Sequence, residues 1–301
     1  MKILLTGSTG FLGKYLYRNI SQKFQVFTLC RTRTCDFLCD LTHCIPNFNQ
    51  DFDIIIHAAG KAHTIPKSDI EKKSFYDINV IGTNNLLKGL SQSVPKQFVF
   101  VSSVSVYGLI EGENINEESP LLAQDPYGKS KIESEDIVKK WCYKHNVICT
   151  ILRLPLIIGV NPPGNLGSMI HGIKKGYYFN IAGGNAKKSM VLASDIAKFI
   201  LNAAEIGGTF NLTDGMDPTF NELSKCISQN LKKSIVPNIP FIIANVLAKI
   251  GDLLGNHFPI NSCKLSKITS TLTFDDSKAR LAFGWNPTPI LEGFKLNENV
   301  E

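Results

Sequence analysis

The chain has 301 residues, 44% of them hydrophobic, which is enough for one large domain and a smaller lobe around a buried core. Its net charge of +6, from 32 basic and 26 acidic residues, suits an anionic substrate and is equally typical of a solvated surface. The basic residues are not interleaved with aromatic ones, so the composition gives no support for a nucleic acid partner.

Two apolar runs in the sequence decide whether a membrane span or a signal peptide is expected. The run at 241–255 is interrupted by Lys249 and Asp252, so it predicts an amphipathic or buried helix rather than a membrane span. The run after Lys2 is too short for the apolar part of a signal peptide. We therefore expect a cytoplasmic protein without a membrane span.

The eight cysteines give no metal-site pattern. In a large cytosolic chain they are expected to be reduced thiols. Cys35, Cys39 and Cys44 are close in sequence, but they lack the paired spacing of structural zinc sites. No metal is predicted.

The amino terminus predicts a strand that turns sharply into a helix. The apolar run Ile3–Leu5 precedes a stretch with three glycines, and apolar side chains then recur at helical spacing. Gly7 permits the tight turn, Gly10 lets the backbone approach a pyrophosphate, and Gly13 lets helix and strand pack closely. The spacing is Gly-x-x-Gly-x-x-Gly, so an ordinary glycine-rich turn is the alternative to a dinucleotide site. The predicted cofactor contacts of this turn are Gly7, Thr9, Gly10, Phe11, Leu12 and Gly13.

The end of the second predicted strand, 25–29, bears on the choice of cofactor. It lacks the carboxylate that would hold the ribose 2′-hydroxyl of NAD. Arg31 and Arg33 follow instead, and their guanidinium groups could pair with a 2′-phosphate. The sequence therefore favours NADP, with NAD possible if both arginines are merely solvated.

A third predicted strand, 53–57, leads into small residues that would let a cofactor pass closely. These predicted cofactor contacts are Ala58, Ala59 and Gly60. We interpret His57 as structural, capping the strand and hydrogen-bonding backbone. Lys61 follows in a loop expected near the nicotinamide and is predicted to contact substrate. A long helix is predicted over 70–90.

The sharpest chemical signal comes from two later segments. The strand predicted over 97–101 ends at Val101, a predicted cofactor contact, and runs into Ser103 and Ser105, predicted to face substrate. Tyr127 and Lys131 are four residues apart, which places both on one face of a helix. A neighbouring ammonium lowers the pKa of a tyrosine and suits it to proton transfer. We therefore predict a carbonyl hydride-transfer site with Tyr127 as acid or base, Lys131 as its tuner and also a cofactor contact, and Ser103 as orienter.

Beyond residue 154 the alternation of strands and helices loosens. Prolines break up the later segments, and helix candidates such as 166–175 mix with short strands such as 209–212. The prediction is an α/β protein with a Rossmann doubly wound parallel sheet and a smaller C-terminal α/β substrate-binding region. We assign 1–154 to the NAD(P)-binding domain and 155–301 mainly to the substrate region, with some segments returning to the first domain.

Together these motifs resemble the extended short-chain dehydrogenase/reductases, and more closely their nucleotide-sugar epimerase/dehydratase/4-ketoreductase group. The motifs are GSTGFLG at 7–13, Asp40-Leu41, HAAG at 57–60, SSVSVYG at 102–108 and YGKSK at 127–131. The resemblance implies catalytic Ser103, Tyr127 and Lys131. It further implies that Asp40 and Leu41 lie near the adenine and that Asn165 and Leu166 touch a substrate diphosphate. It also implies a homodimer formed by helices 70–90 and 130–144, and a role in bacterial surface polysaccharide synthesis.

Departures from the group's patterns narrow the reaction. Dehydratases carry an Asp-Glu pair after the catalytic hydroxyl residue, whereas this chain has Val104 and Ser105. The segment LRLPLIIG at 152–159 is similar to 4-ketoreductases that act on UDP-linked 6-deoxy amino sugars. Lys188, a predicted substrate contact, replaces the arginine that clamps the diphosphate, and lysine lacks the bidentate fork of arginine.

Three functions follow from these residues. The leading hypothesis is NAD(P)H-dependent reduction of the 4-keto group of a UDP-linked 6-deoxy amino sugar. An NAD-dependent UDP-hexose 4-epimerase would use the same three residues. A non-catalytic dinucleotide-binding sensor is the third, because fold alone does not fix function.

Overall fold

The computed structural model of the protein describes residues 1–32, 34–62, 66, 68–254 and 260–296. Arg33, a predicted cofactor contact, lies outside these residues. The strands are β1 (Lys2–Thr6), β2 (Gln25–Cys30), β3 (Phe37–Leu38), β4 (Ile54–His57), β5 (Gln97–Ser103), β6 (Gly112–Ile115), β7 (Ile148–Leu154), β8 (Leu156–Ile158), β9 (Asn180–Ile181), β10 (Met190–Leu192), β11 (Gly208–Asn211), β12 (Asn238–Ile239) and β13 (Leu272–Phe274). The α-helices are α1 (Phe11–Ile20), α2 (Asp69–Tyr76), α3 (Gly82–Gly89), α4 (Pro126–His145), α5 (Gly164–Lys175), α6 (Ala193–Ile206), α7 (Phe220–Asn230), α8 (Phe241–Leu254), α9 (Ser262–Thr269), α10 (Ser277–Phe283) and α11 (Ile290–Gly293).

The central sheet has the doubly wound topology predicted from the sequence. Among the described residues it contains seven strands in the order β11-β7-β5-β4-β1-β2-β3, and its pairs are parallel. The order reverses between β1 and β4, which is where sheets of this kind bind their ligands. The prediction of an α/β Rossmann-type fold is confirmed.

Helices cover both faces of the sheet. On one face α1 and α6 pack against the strands, and on the other face α3 and α4 do so. The helix predicted over 70–90 is α2 and α3 joined by a π-helical turn at Asp77–Ile81. None of the described helices is long and apolar enough to cross a bilayer.

The later segments build small sheets beside the main one. They pair β8 with β10, β9 with β12, and β6 with β13, and a separate apolar cluster forms between α5, α7 and α11. Strand β11 instead joins the edge of the main sheet beside β7. The division of the chain at residue 154 stays a prediction.

His57 ties β4 to two neighbouring elements. Its ring nitrogens lie 2.6 Å from the Thr6 hydroxyl on β1 and 2.9 Å from the Thr83 hydroxyl on α3. The predicted structural role therefore operates through side-chain hydroxyls rather than backbone groups. Burial, with a smaller effect from the Lys131 charge, lowers the pKa of His57 to about 3, so the ring is neutral at pH 7.

The turn from β1 into α1 depends on glycine. Gly7 has φ +75°, and a Cβ there would lie 2.6 Å from the nitrogen of Ala59. A Cβ on Gly13 would overlap the carbonyl oxygen of Gly7. The strand end, the loop after β4 and the first helical turn are thus in backbone contact, as the sequence predicts.

One cysteine pair departs from the sequence analysis. Cys30 and Cys35 form a disulfide that closes the turn after β2. The expectation that all eight cysteines are reduced is wrong for this pair. Sequence spacing could not show it, because the turn between β2 and β3 folds the two side chains together. No metal-binding cluster occurs within the described ranges.

Gly7→Ala should destabilise the fold more than Gly176→Ala. Both glycines have positive φ, so both variants incur roughly 1–2 kcal/mol of left-handed strain. Only the Gly7 variant adds a backbone clash, because Gly176 has open space around its Cβ position. Thermal denaturation followed by circular dichroism measures the difference, and equal losses of Tm would contradict it.

Acidification should destabilise the protein through His57. Because burial brings the folded pKa down to about 3 from the ordinary histidine value of 6.5, the unfolded chain binds the proton first as pH falls. The contribution of His57 to the free energy of unfolding is complete above pH ~6.5 and declines toward pH ~3. At pH 5 about 2 kcal/mol of this contribution is lost. Urea unfolding at pH 7.5 and pH 5 should therefore show a larger loss for wild type than for His57→Gln. Parallel losses would exclude His57 as the cause.

Candidate active site

The turn between β1 and α1 forms a cradle for a phosphate. The α1 N-cap is Gly10, whose N–H donates to the Gly7 carbonyl at 3.0 Å and which provides no capping side chain. Thr9 and Gly10 are exposed at the rim, whereas the Leu12 side chain is buried in the core. Phe11 is half-buried beside Tyr15. Helix N–H groups, a positive helix end and a surface that admits no Cβ fit a dinucleotide pyrophosphate.

The residues predicted to face adenosine follow β2. Arg31 is exposed there. Burial acts against ionisation of Asp40, but hydrogen bonds from Thr42, with smaller help from the Arg31 charge, lower its pKa. Leu41 packs its side chain into the core, and its carbonyl accepts a 2.8 Å hydrogen bond from Asn85. The guanidinium and the carboxylate predicted to face adenosine thus lie in one neighbourhood.

The small residues after β4 run between the glycine turn and the catalytic helix. The N–H of Ala59 donates to the Thr6 hydroxyl at 3.2 Å, and Ala58 abuts Gly7. A Cβ on Gly60 would lie 3.3 Å from the Lys131 Nζ. This path therefore connects the phosphate cradle to Lys131, as a dinucleotide requires.

The start of α4 places the predicted catalytic pair. The Asp125 carboxylate caps the helix by accepting from the N–H groups of Tyr127 and Gly128, both at 3.1 Å. Pro126 occupies the first turn, where its missing N–H costs nothing. A Cβ on Gly128 would lie 2.8 Å from the carbonyl oxygen of Ser105, so glycine allows close approach to the loop after β5. The helix begins four residues earlier than the periodicity from residue 130 predicts.

Ser103 and Tyr127 meet at the end of β5. The Ser103 hydroxyl lies close enough to Tyr127 to influence its ionisation, and it donates to the Ser105 hydroxyl at 3.1 Å. Burial raises the pKa of Tyr127, Asp125 adds to the rise, and the Ser103 hydroxyl opposes it. The Tyr127 ring packs beside Phe75, with centroids 6.0 Å apart.

Lys131 lies one helical turn after Tyr127 on α4. Its Nζ donates to the Val101 carbonyl at 2.9 Å and lies 4.7 Å from the centre of the Phe100 ring. Burial lowers its pKa to about 8, against the influence of Glu135. Lys131 is not among the groups that shift the pKa of Tyr127 in this geometry, because its ammonium is directed to a backbone carbonyl, and its role as tuner stays a prediction.

Sequence reasoning missed a buried ion pair beside this set. Glu135 accepts from Arg153 Nη2 at 2.8 Å and from the Ser102 hydroxyl at 2.6 Å. Arg153 also donates to the Tyr107 hydroxyl at 3.1 Å. The spacing of Glu135, four residues after Lys131 on the same helix face, was the available signal.

Asn79, in the π-helical turn, was also missed as a functional residue. Its side chain accepts from the Lys61 N–H at 2.7 Å and donates to the Ser130 hydroxyl at 2.8 Å. The backbone carbonyl of Asn79 accepts a hydrogen bond from the Ser134 hydroxyl at 2.9 Å. Asn79 therefore fastens the loop after β4 to the helix that carries Tyr127 and Lys131.

The predicted substrate contacts are more scattered. Lys61 donates to the Ser74 hydroxyl at 2.6 Å, which directs its ammonium toward α2. Asn165 is exposed in the first turn of α5, but the Leu166 side chain is buried in the lobe's core. Lys188 is half-buried, and burial together with the charge of Lys267 lowers its pKa to about 8. The structure thus brings Ser103, Ser105, Tyr127 and Lys131 together and directs the Lys61 and Leu166 side chains elsewhere.

Comparisons with known proteins identify relatives of the chain. Two curated relatives match nearly the whole chain. The N-acetyl-alpha-D-glucosaminyl-diphospho-ditrans,octacis-undecaprenol 4-epimerase of Escherichia coli O157:H7 is 28% identical, covering 97% of this chain and 92% of its own. The UDP-glucose 4-epimerase of Vibrio cholerae is 27% identical, covering 97% and 93%.

The fold is shared with solved structures. RMD from Pseudomonas aeruginosa, complexed with NADPH, superposes with a TM-score of 0.72 at 19% identity, over 97% of this chain and 95% of that one. The profile of the NAD dependent epimerase/dehydratase family matches residues 3–212. The chain belongs to the NAD dependent epimerase/dehydratase family of enzymes.

Proposed function

We propose that this protein interconverts the C4 epimers of a hexose linked to its carrier through a diphosphate. The observation that carries the proposal is the placement of the Ser103 hydroxyl beside Tyr127, with Lys131 on the next turn of α4. Val104 and Ser105 stand where a dehydratase needs two carboxylates, which disfavours water elimination. Two relatives that match nearly the whole chain are 4-epimerases, which favours epimerisation over other reactions of the same three residues.

The residues of the glycine turn fit a nicotinamide dinucleotide. Gly7 and Gly10 would receive the pyrophosphate, and Ala58 and Gly60 would lie along the cofactor toward Lys131. When bound, the nicotinamide supplies the hydride acceptor and donor. The protein's own side chains transfer the proton. Tyr127 accepts it from the C4 hydroxyl during oxidation and returns it to the oxygen once the sugar has presented its other face.

Ser103 and Lys131 support this proton transfer in different ways. The Ser103 hydroxyl lies beside Tyr127 and would orient the reacting oxygen. The buried Lys131 ammonium, with a pKa of about 8, would favour the phenolate only by turning from the Val101 carbonyl toward the site. Ionisation of Tyr127 would then depend on that rearrangement.

The carrier is either a nucleoside or a polyprenol. Both relatives act on a sugar that is joined through a diphosphate, to uridine in one name and to undecaprenol in the other. Lys188 would contact that shared group, with Lys267 as its neighbour. Repulsion between these two lysines, added to burial, is the kind of environment that an anion relieves.

Tyr127→Phe should lower kcat by roughly 10²–10⁴-fold, because it removes the only hydroxyl proposed to move the proton. The measurement is interconversion of UDP-N-acetylglucosamine and UDP-N-acetylgalactosamine, and of the same sugars on polyprenyl diphosphate. Tyr17→Phe, on the exposed face of α1, is the matched control and should keep wild-type turnover. Full turnover by Tyr127→Phe would contradict the proposal.

A second candidate is NADPH-dependent reduction of a 4-keto nucleotide sugar. It is favoured by Arg31, exposed at the end of β2 where no carboxylate follows directly. An epimerase regenerates its cofactor each cycle, so purified protein should contain bound nicotinamide and consume none. Stoichiometric oxidation of NADPH with a UDP-4-keto-6-deoxy sugar would establish the reductase instead.

Arg31→Ala should show whether the protein recognises the 2′-phosphate that distinguishes NADPH from NADH. If Arg31 pairs with a 2′-phosphate, the variant should bind NADPH roughly tenfold or more weakly and NADH unchanged, measured by fluorescence titration. Lys23→Ala, an exposed cation after α1, is the control. Equal affinities of wild type and Arg31→Ala for NADPH would leave Arg31 as a solvated side chain.

A homodimer through α2, α3 and α4 also stays a proposal. Three large apolar side chains on these helices are exposed: Ile70 and Tyr76 on α2, and Tyr143 on α4. Burial of such groups between two copies would be favourable.

A further inference from the structure

Helix α8 has an inverted distribution of side chains. Small residues face the protein: Ala244 and Ala248 pack against Leu265 of α9, and Gly251 is buried beside them. The large apolar side chains face outward. A helix of an ordinary globular surface shows the opposite arrangement, with large apolar residues against the core.

Six of the exposed apolar residues of α8 form one stripe, and Phe241, at the start of the helix, lies outside it. Ile242, Val246, Ile250 and Leu253 recur at spacings of four, four and three residues, which aligns them on one side of the helix. At 100° per residue the stripe spans roughly 120° once its flanking members are included. Ile242 is 77% exposed and Leu253 is 88% exposed. The complete stripe is Ile242, Ile243, Val246, Ile250, Leu253 and Leu254.

Lysines outnumber acidic residues in the sequence around the stripe. Between residues 231 and 270 the chain has five lysines and a single aspartate. Lys249 borders the stripe on the helix itself, and Lys232 and Lys233 are exposed in the segment that leads into it. The Asp252 carboxylate accepts hydrogen bonds from the Ser262 N–H at 3.0 Å and from its hydroxyl. The surface therefore combines apolar area with excess cation.

We propose that α8 docks the substrate lobe on an anionic membrane surface, with the apolar stripe at the boundary between headgroups and acyl chains and the lysines over lipid phosphates. This combination characterises interfacial helices that lie in the membrane plane. The proposal uses no residue of the Ser103–Tyr127–Lys131 set and does not depend on which reaction that set performs.

Charge decides between a membrane and a second copy of the chain as the partner of this face. Two copies meeting through α8 would bring two sets of lysines together, and like charges across an interface are costly. An anionic bilayer instead offers phosphates to the lysines and acyl chains to the stripe. The basic border therefore favours the membrane.

Co-sedimentation of the full chain with lipid vesicles tests the proposal. Wild type should pellet with vesicles of phosphatidylglycerol and phosphatidylethanolamine, and much less with phosphatidylcholine alone. Leu253→Glu should weaken binding roughly tenfold or more, because it places a charge where an apolar side chain was buried in lipid. Leu281→Glu, on α10, is the matched control: its leucine is 89% exposed, and the variant should bind like wild type.

A second variant tests the electrostatic part. Lys232→Gln combined with Lys233→Gln should weaken binding to anionic vesicles roughly tenfold or more. Because these lysines are exposed, their replacement should leave the fold unchanged. Thermal denaturation of the double variant should give the wild-type Tm.

Three outcomes would overturn the proposal. They are a wild type that stays in the supernatant with anionic vesicles, a Leu253→Glu variant that binds as well as wild type, and a dimer in size-exclusion chromatography that Leu253→Glu dissociates while vesicle binding is absent. The last outcome would make a second copy the partner of α8.

Discussion

The buried ammonium of Lys131 is the constraint on which the rest of the site depends. A charge inside the protein is tolerated only if nearby groups replace water. The Val101 carbonyl and the Phe100 ring do so directly, and the Glu135 carboxylate acts from the next turn of α4. Because β5 provides the first two groups and also ends at Ser103, the same strand fixes both the lysine and the catalytic hydroxyl.

The sequence predicted much of this site because its signals are local. Glycine spacing, the four-residue interval between Tyr127 and Lys131, and serines at a strand end each depend on neighbours in the chain. The Glu135–Arg153 pair and the bonds of Asn79 escaped prediction because their partners are distant in sequence. The rise in the pKa of Tyr127 escaped for a different reason, since burial of a side chain is a property of the folded protein.

The second half of the chain was harder to predict for the same physical reason. Its segments are short and interrupted by proline, so they acquire register only by packing on one another. Leu166 illustrates this, because its position suggested a ligand contact while its side chain belongs to the lobe's core. In α8 the sequence showed apolar character, but only packing reveals that alanine and glycine face inward and isoleucine and leucine outward.

The buried hydrogen-bond network has a consequence for how the protein unfolds. From Arg153 the bonds continue through the Tyr107 hydroxyl to Asn211 on β11, at 3.1 and 2.8 Å. Asn211 in turn donates to the carbonyl of Ile115 on β6 at 3.0 Å. A fragment ending at residue 154 would keep the ion pair but lose the amide that completes its network. The two halves of the chain are therefore linked through buried hydrogen bonds, and a cut after residue 154 would leave the Tyr107 hydroxyl without its Asn211 acceptor.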